Sequence, residues 1–547
     1  MKKVNKPNIL FLCVDQWPGK FLGCAGHSEI ETPTIDRIAA SGVQFTRAYA
    51  ETPICIPARR SIMTGTSPRA HGDRIFQPAL PMPQGMPTLP QTFRNNGYQA
   101  NAIGKIHVYP QRNRIGFDDV ILYEEGRSNL GSVDDYEIHL AENGFAGKQN
   151  MHGMSQNEFS WTTWHLEDRY HPTNWITLEA CRSIKRRDPT RPGLWFVSYN
   201  HPHPPLVPLK QYFDRYKNTQ ITAPNIGSWA LKEDRPYPIK LIQKTWDQLS
   251  DKKLEDTRRA FYALCTHIDH QIRTIVGTLR EEKILDNTII VFCSDHGEML
   301  GEHGLYAKRV MYENSSNIPM IISGTPNEKR LKKGFKDNRL VALQDVMPTL
   351  LDLAYIQIPE TCTGISMIKD LKRKTLYCEA QEGVTATRMI TDCQYKLIWY
   401  PAGNRWQMFD LNDDPYEKND LSNNQSYKKQ MINLQDELIK ELYGCDKKWL
   451  KGNNFIGFKA SNFIPAPDRN LSGQRGLISY FEKKQVLNTL QNKEFSLKKQ
   501  IKDLDFKNSL LSDNLDLDYI ETLIRERIIF RKKNETIYII KSNDTKK

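Results

Sequence analysis

Four short segments of this 547-residue chain carry residue types able to do chemistry, and three of them close an apolar run. NILFLCV (8–14) runs into Asp15, and LWFVSYN (194–200) runs into His201-Pro202-His203-Pro204-Pro205. TIIVFCS (288–294) runs into Asp295-His296-Gly297. The fourth segment, TPICIPARRSIMTG, sets Cys55, Pro57 and Arg59 two residues apart. Carboxylates, imidazoles and a thiol are the groups of acid–base, metal and nucleophilic chemistry. Each also has a plainer role. Asp295-His296-Gly297 serves as a turn after a strand, a lone histidine or lysine as a solvated surface group, and Cys55 as a buried thiol beside a turn proline.

The elements that must position these residues can be read from the same runs. A continuous apolar run is how a strand buried on both faces of a sheet reads. A fourth such run, NIPMIISG, spans 317–324. Helical patterns lie between them at Thr34–Ser41, Pro90–Asn96, Trp175–Arg186 and Asp256–Glu281. Strands alternating with helices predict an α/β fold with a largely parallel sheet, and in such sheets sites gather at the carboxyl ends of strands. After about residue 370 short strand-like runs (TLYCEA, ATRMITD, YKLIWYP, then WQMFDLNDDPYEKNDL) predict a smaller antiparallel sheet. The Gly-, Asn- and Pro-rich stretch 445–476 reads as a meander or linker. Three segments follow: a catalytic domain over 1–370, a small-sheet subdomain with linker over 371–476, and an extension over 477–547.

Composition narrows the class. Hydrophobic content of 39% and charged content of 26% belong to a globular chain. Lys+Arg 76 against Asp+Glu 64 leaves +12, a modest excess that serves either solubility or attraction of an anionic substrate. No nucleic-acid signature accompanies it, so no nucleic-acid partner is expected. No run reaches the roughly 18 apolar residues of a membrane span. The apolar run Ile9–Val14 falls short of a signal h-region of about 7–15 residues with its cleavage site, so the chain is expected in the cytoplasm. The ten cysteines show no CxxC spacing and read as reduced, mostly structural thiols.

The Cys55 segment resembles the sulfatase signature, and further motifs match in order. PNILFLCVDQ (7–16) is similar to that family's first metal-binding strand, and ETPTIDRIAASGVQFTRAYA (31–50) to the helix and strand leading to the nucleophile. GKIHVYP (104–110) resembles its Gly-Lys-x-His motif and SYNHPHPPLVP (198–208) its Pro-His-x-Pro motif. The segment 294–324 resembles the second metal-binding strand with the lysine that follows, and MFDLNDDPYEKNDL (408–421) the family's C-terminal signature. The resemblance covers about residues 7–425. It implies the alkaline-phosphatase fold, a large mixed sheet between helices with a smaller C-terminal sheet.

It also implies a chemistry. Cys55 would be oxidised to formylglycine by a separate formylglycine-generating enzyme. One hydroxyl of the hydrated aldehyde attacks sulfur, and deprotonating the other expels sulfate, which divides one hard step into two. By position, the ligands of one divalent metal are Asp15, Asp295, His296 and residue 55, with Gln16 as a fifth. The oxygen ligands favour Ca²⁺ or Mg²⁺, with Ca²⁺ placed first, and the imidazole admits Mn²⁺ or Zn²⁺. Arg59 would stabilise the diol, and Lys105 and Lys308 would hold sulfate oxygens. His107 is the implied base and His203 the implied donor to the bridging oxygen, with His201 as its alternate. His303 would stand behind the metal strand. The implied substrate is a small-molecule or sugar sulfate ester. Gln16 and His296 depart from the Asp and Asn of many relatives and also occur in phosphonate monoester hydrolases, the alternative activity. A catalytically silent scaffold is a third reading, against which the intact residue set speaks.

Two segments remain. The stretch 125–175 carries Trp161, Trp164, His165, Arg169 and Trp175, which either line the substrate entrance or pack a long loop. Beyond residue 477, Leu490, Leu497, Leu504 and Leu511 recur every seven residues, with Leu487, Glu494, Ile501, Asn508 and Leu515 between them. This is a coiled-coil heptad or an amphipathic helix folded back on the enzyme. RGLISYFEKKQVLNTL and LDLDYIETLIRERIIF resemble septum formation initiator proteins. A dispensable tail that forms a homo-oligomer is the expectation.

Overall fold

A computed structural model describes residues 6–125, 133–245, 249–460, 494–506, 509 and 517–520. Two compact units divide the chain, Met1–Ser461 and Asn462–Lys547.

In chain order the strands are β1 (Asn8–Asp15), β2 (Val43–Phe45), β3 (Ala48–Tyr49), β4 (Gln99–Gly104), β5 (Asp119–Leu122), β6 (Gly193–Pro202) and β7 (Thr288–Ser294). There follow β8 (Met320–Ser323), β9 (Phe335–Asp337), β10 (Val341–Ala342), β11 (Leu376–Ala380), β12 (Thr387–Thr391), β13 (Tyr395–Tyr400) and β14 (Arg405–Asp410). Eight of them form one sheet in the order β5-β4-β6-β1-β7-β8-β2-β9. The neighbours from β5 to β7 are parallel, β8 is antiparallel to both β7 and β2, and β9 is parallel to β2. The sheet is therefore mixed and mostly parallel.

The alternation along β1 explains its unbroken apolar run. Ile9, Phe11 and Cys13 point into one core layer, Leu10, Leu12 and Val14 into the other, and all six are fully buried. The helices Pro33–Ala40, Pro172–Lys185 and Asp251–Glu281 cover the second face, while Cys55–Thr64, Leu89–Asn95 and Val346–Leu353 cover the first. A strand covered on both faces has no position for a polar side chain until it ends. That is why the chemistry these strands carry gathers at their carboxyl ends, at Asp15, after β4, after β7 and at the end of β6.

The second sheet, β11-β12-β13-β14, is antiparallel throughout. Alternation again places the residues. Leu397 and Trp399 of β13 meet Leu434 and Leu438 of the helix Lys428–Glu441, while Ile398 and Tyr400 meet Ile54, Met311 and Tyr312 of the larger layer. In the C-terminal unit residues 494–506 are helical, with Leu497, Ile501 and Leu504 exposed. The heptad positions Leu487, Leu490, Asn508, Leu511 and Leu515 lie outside the described residues. Among the described residues, no helix is long and apolar enough to cross a membrane.

Candidate active site

The carboxyl ends of β4, β6, β1 and β7 open on one edge of the sheet, and each delivers part of one buried cluster. Asp15 is the last residue of β1, and Asp295 and His296 follow β7. Lys105 follows β4 through Gly104 (φ +96°). A Cβ on Gly104 would lie 2.0 Å from the carbonyl oxygen of Ser198, so only glycine lets β4 close against β6 there. Ser198 in turn offers its Oγ to Arg59.

Cys55 opens the ten-residue helix Cys55–Thr64, after Ile54 in extended conformation. Pro57 is tolerated because a first helical turn has no intrahelical acceptor for its missing N–H. The helix ends at Gly65 in the left-handed region (φ +64°), whose N–H donates to the Ser61 carbonyl. Residue 55 thus stands at a helix N-terminus, where backbone N–H groups favour negative charge.

Asp15, Cys55, Asp295 and His296 bring their ligand atoms within 4.8 Å of one another. Cys55 Sγ lies 3.0 Å from His296 Nε2. Arg59 braces the group. Its Nε donates to Asp295 Oδ2 (2.8 Å), its Nη1 to the Lys105 carbonyl (2.7 Å) and Ser198 Oγ (2.9 Å), and its Nη2 to Asp15 Oδ2 (3.3 Å). Lys105 Nζ bridges Asp15 Oδ2 (2.7 Å) and Glu125 Oε1 (2.8 Å). Lys308 Nζ lies 2.9 Å from His203 Nε2 and also meets the amide oxygen of Gln16. His107 and His203 also bear on Cys55 and favour its thiolate. Every one of these side chains is buried.

The electrostatics follow from that crowding. Burial and the neighbouring Cys55 push the Asp15 carboxyl up, but Lys105, His203 and Arg59 outweigh them and hold it at about 2. Asp295 goes the other way, raised by burial and by Asp15, against His296 and Arg59. Burial opposes charge on His296, yet Asp295 and Cys55 draw its pKa up to about 9. Burial also raises the Cys55 thiol, and Lys308, His296 and the hydrogen bonds from His107 and His203 bring it well below the usual range. Two carboxylates in mutual repulsion and an imidazole pulled toward its cationic form make a donor set that a divalent cation satisfies. The residues therefore fit a metal.

Not every expected residue faces that group. Gln16 adopts φ +70° and turns its amide to Glu298 on one side and Lys308 on the other. His201 bonds Thr173 Oγ1 through Nδ1 (3.1 Å) and lies tilted against His171, 5.1 Å between ring centroids. His303 accepts the Gly227 N–H and lies against Trp229 and Tyr312, so it supports the contact with the second sheet. In the 125–175 stretch, Trp161 stacks on Phe213 (4.0 Å between centroids), Trp164 lies against His171, and Trp175 is core beside Tyr136. Three partners carry no motif and are visible only in three dimensions. Glu125 holds Lys105, Glu124 accepts the N–H groups of Ile106 and His107, and Glu298 accepts those of Leu300 and Ala307.

The sulfatase family model matches residues 7–356. A model described as N-sulphoglucosamine sulphohydrolase, C-terminal, matches 301–443, and the septum formation initiator model matches 471–543. The chain is 36% identical to an arylsulfatase of Clostridium perfringens strain 13 over 470 residues, covering 82% of this chain and 97% of that one. It is 27% identical to a choline-sulfatase of Rhizobium meliloti over 434 residues, 77% of this chain and 83% of that one. Among solved structures, a phosphonate monoester hydrolase of Agrobacterium radiobacter matches with TM-score 0.69 at 21% identity, over 80% of this chain and 95% of that one. A structure in complex with its substrate D-glucosamine-2-N,6-O-disulfate matches with TM-score 0.64 at 24% identity, over 80% and 97%. These similarities place the fold in the alkaline-phosphatase superfamily.

Proposed function

The chain belongs to the sulfatase family and is a sulfuric ester hydrolase, and we propose that its substrate is a sulfate monoester of an aromatic or sugar alcohol, cleaved at the Cys55 pocket. The observation that carries this reading is the buried convergence of Asp15, Cys55, Asp295 and His296 within 4.8 Å, ringed by Arg59, Lys105 and Lys308. The identity to the clostridial arylsulfatase supports the aromatic alcohol, and the disulfate carried by the structural neighbour supports the sugar.

Carried as formylglycine, residue 55 supplies the nucleophilic hydroxyl. A divalent metal held by Asp15, Asp295, His296 and residue 55 supplies Lewis acidity toward that hydroxyl and the sulfate oxygens. We place Ca²⁺ first, with Mn²⁺, Mg²⁺ and Zn²⁺ as alternatives. The protein's own residues do the rest. Lys105 and Lys308 are buried cations on either side of residue 55 and bind the tetrahedral anion as charge builds on it. His203 holds its Nδ1–H on the Pro204 carbonyl, so its Nε2 accepts from the Lys308 ammonium in the resting pocket and takes up a proton before passing it to the bridging oxygen as the alcohol departs. His107, bonded to residue 55, accepts the proton that lets the adduct collapse. Arg59 fixes both carboxylates and the β4–β6 gap, so that none of these groups must reorganise during the reaction.

The deciding experiment co-expresses the protein with a formylglycine-generating enzyme and verifies residue 55 by peptide mass spectrometry. Turnover of an aryl sulfate and an aryl phosphonate monoester is then compared, with Cys55→Ala as control. Faster sulfate turnover that Cys55→Ala abolishes supports the proposal. Faster phosphonate turnover replaces it with the phosphonate monoester hydrolase reading.

A further inference from the structure

Two of the pocket's cations are committed to carboxylates. Arg59 is paired with Asp15 and Asp295, and Lys105 with Asp15 and Glu125. Lys308 is held by Gln16 and His203, with no carboxylate at ion-pair distance among the described residues. It therefore matches the single negative charge of one sulfate monoester. The next residue, Arg309, stands apart. Among the described residues, no hydrogen bond or ion pair reaches its guanidinium.

Its position is nonetheless tightly set. The Arg309 N–H donates to the Pro53 carbonyl (3.2 Å), which anchors it two residues before Cys55 in the chain. Its backbone sits at φ +79°, in the left-handed region that favours glycine. Holding a bulky residue there strains the backbone, and such strain clusters at ligand clamps. Burial lowers its pKa, and the charge acting in the other direction is that of Cys55. The residue is half-buried beside Lys308 in the chain, so part of its side chain is withdrawn from water and part reaches solvent. A partly desolvated guanidinium without a partner is a planar fork that an oxyanion completes.

We propose that Arg309 is a substrate-specificity residue that recognises a second anionic group, a sulfate or a carboxylate, on the alcohol half of the substrate. The proposal rests on the sulfatase reading of the Cys55 pocket. It predicts that this enzyme prefers sulfate esters whose leaving group is itself charged, and that the preference resides in one side chain.

Two probe pairs test it by competition against aryl sulfate hydrolysis. One pair is glucosamine 6-sulfate and glucosamine 2-N,6-O-disulfate, and the other is phenyl sulfate and 4-carboxyphenyl sulfate. In the unaltered protein the doubly anionic member of at least one pair should inhibit about tenfold more strongly than its partner, near 1.4 kcal/mol. In Arg309→Gln that ratio should fall to about one, and Arg309→Lys should keep part of it because charge remains while the fork is lost. The pair that responds identifies the group. No preference in either pair, or a preference that survives Arg309→Gln, overturns the proposal. So does an equal loss for both members of each pair, because Arg309 would then serve the scissile sulfate. Failure of the sulfatase reading shows separately, as matured protein that turns over no aryl sulfate. Calorimetric binding of the same pairs to Cys55→Ala protein, with and without Arg309→Gln, then reads Arg309 directly.

Discussion

The carboxylate of Glu125 lies 2.8 Å from the ammonium of Lys105, and both are buried. His203 Nδ1 is 3.9 Å from the same carboxylate oxygen. One carboxylate therefore touches a proposed sulfate-binding cation and faces the proposed proton donor. Glu125→Gln should break this ion pair with Lys105 and remove the negative charge facing His203. We expect kcat to fall about 10- to 100-fold, as misplaced catalytic groups do, with a smaller change in KM and a shifted pH–rate profile. Glu125→Asp, which keeps the charge, should recover part of the loss. Unchanged kcat and pH profile in Glu125→Gln would reject the role.

Four buried ligands predict coupling between metal and stability. Chelation should abolish turnover and lower Tm, and restoring the divalent ion should recover both. An ion at a hundred times its Kd stabilises the native state by about 2.7 kcal/mol. Asp295→Asn should weaken that response, measured as Tm against metal concentration. A Tm and activity indifferent to chelation would exclude a metal at this group. Comparing Ca²⁺, Mg²⁺, Mn²⁺ and Zn²⁺ in the same titration identifies the ion.

The strand ends were legible in the sequence because a two-sided parallel strand admits polar residues only where it stops, as β1 does at Asp15 and β7 before Asp295-His296. Cys55 was legible through Pro57 and Arg59, which stand in the same helix. Glu124, Glu125 and Glu298 were not. None belongs to a recognisable motif, although Glu124 and Glu125 follow the short run Val120–Tyr123 at the end of β5, and the role of each comes from what another segment brings against it. Glu298, for instance, caps the N–H groups of Leu300 and Ala307 while holding Gln16, 282 residues away. His303 misled for the converse reason. Its nearness in sequence to Asp295 does not survive the turn at Gly301, and it packs on Trp229.

Glu51 gives a pH-dependent stability. It is buried and accepts the N–H groups of Leu343 (3.1 Å) and Gln344 (3.0 Å). Burial raises its pKa from 4.5 to about 7. The folded state keeps a proton that the unfolded chain releases near 4.5. The stabilisation is full below that pH and is lost as pH rises to about 7, a change of roughly 3 kcal/mol. In Glu51→Gln this loss is absent. From pH 4.5 to 7.5 the Tm of the variant should rise relative to the unaltered protein. A constant difference across that range would show that Glu51 is ionised throughout.

The C-terminal tail should be separable from catalysis. A chain ending at Arg475 keeps all of Met1–Ser461. We expect it to retain turnover while losing self-association, read by light scattering beside the full chain. A folded truncate with little activity, or one that still associates like the full chain, would contradict this.

The burial of residue 55 has a consequence for timing. Cys55 is 3% exposed, between the start of its helix and the ends of two central strands. Another enzyme cannot close its own active site around a side chain enclosed in that way. If residue 55 is converted to the aldehyde as proposed, that conversion competes with folding, and it must win while the segment around Pro57 and Arg59 is still an open peptide. On that proposal a chain that folds first would carry every other residue of the pocket and stay inert. The active fraction of any preparation then reports a race between two rates, and slowing synthesis or raising the oxidising partner should increase it without changing a single contact in the finished fold.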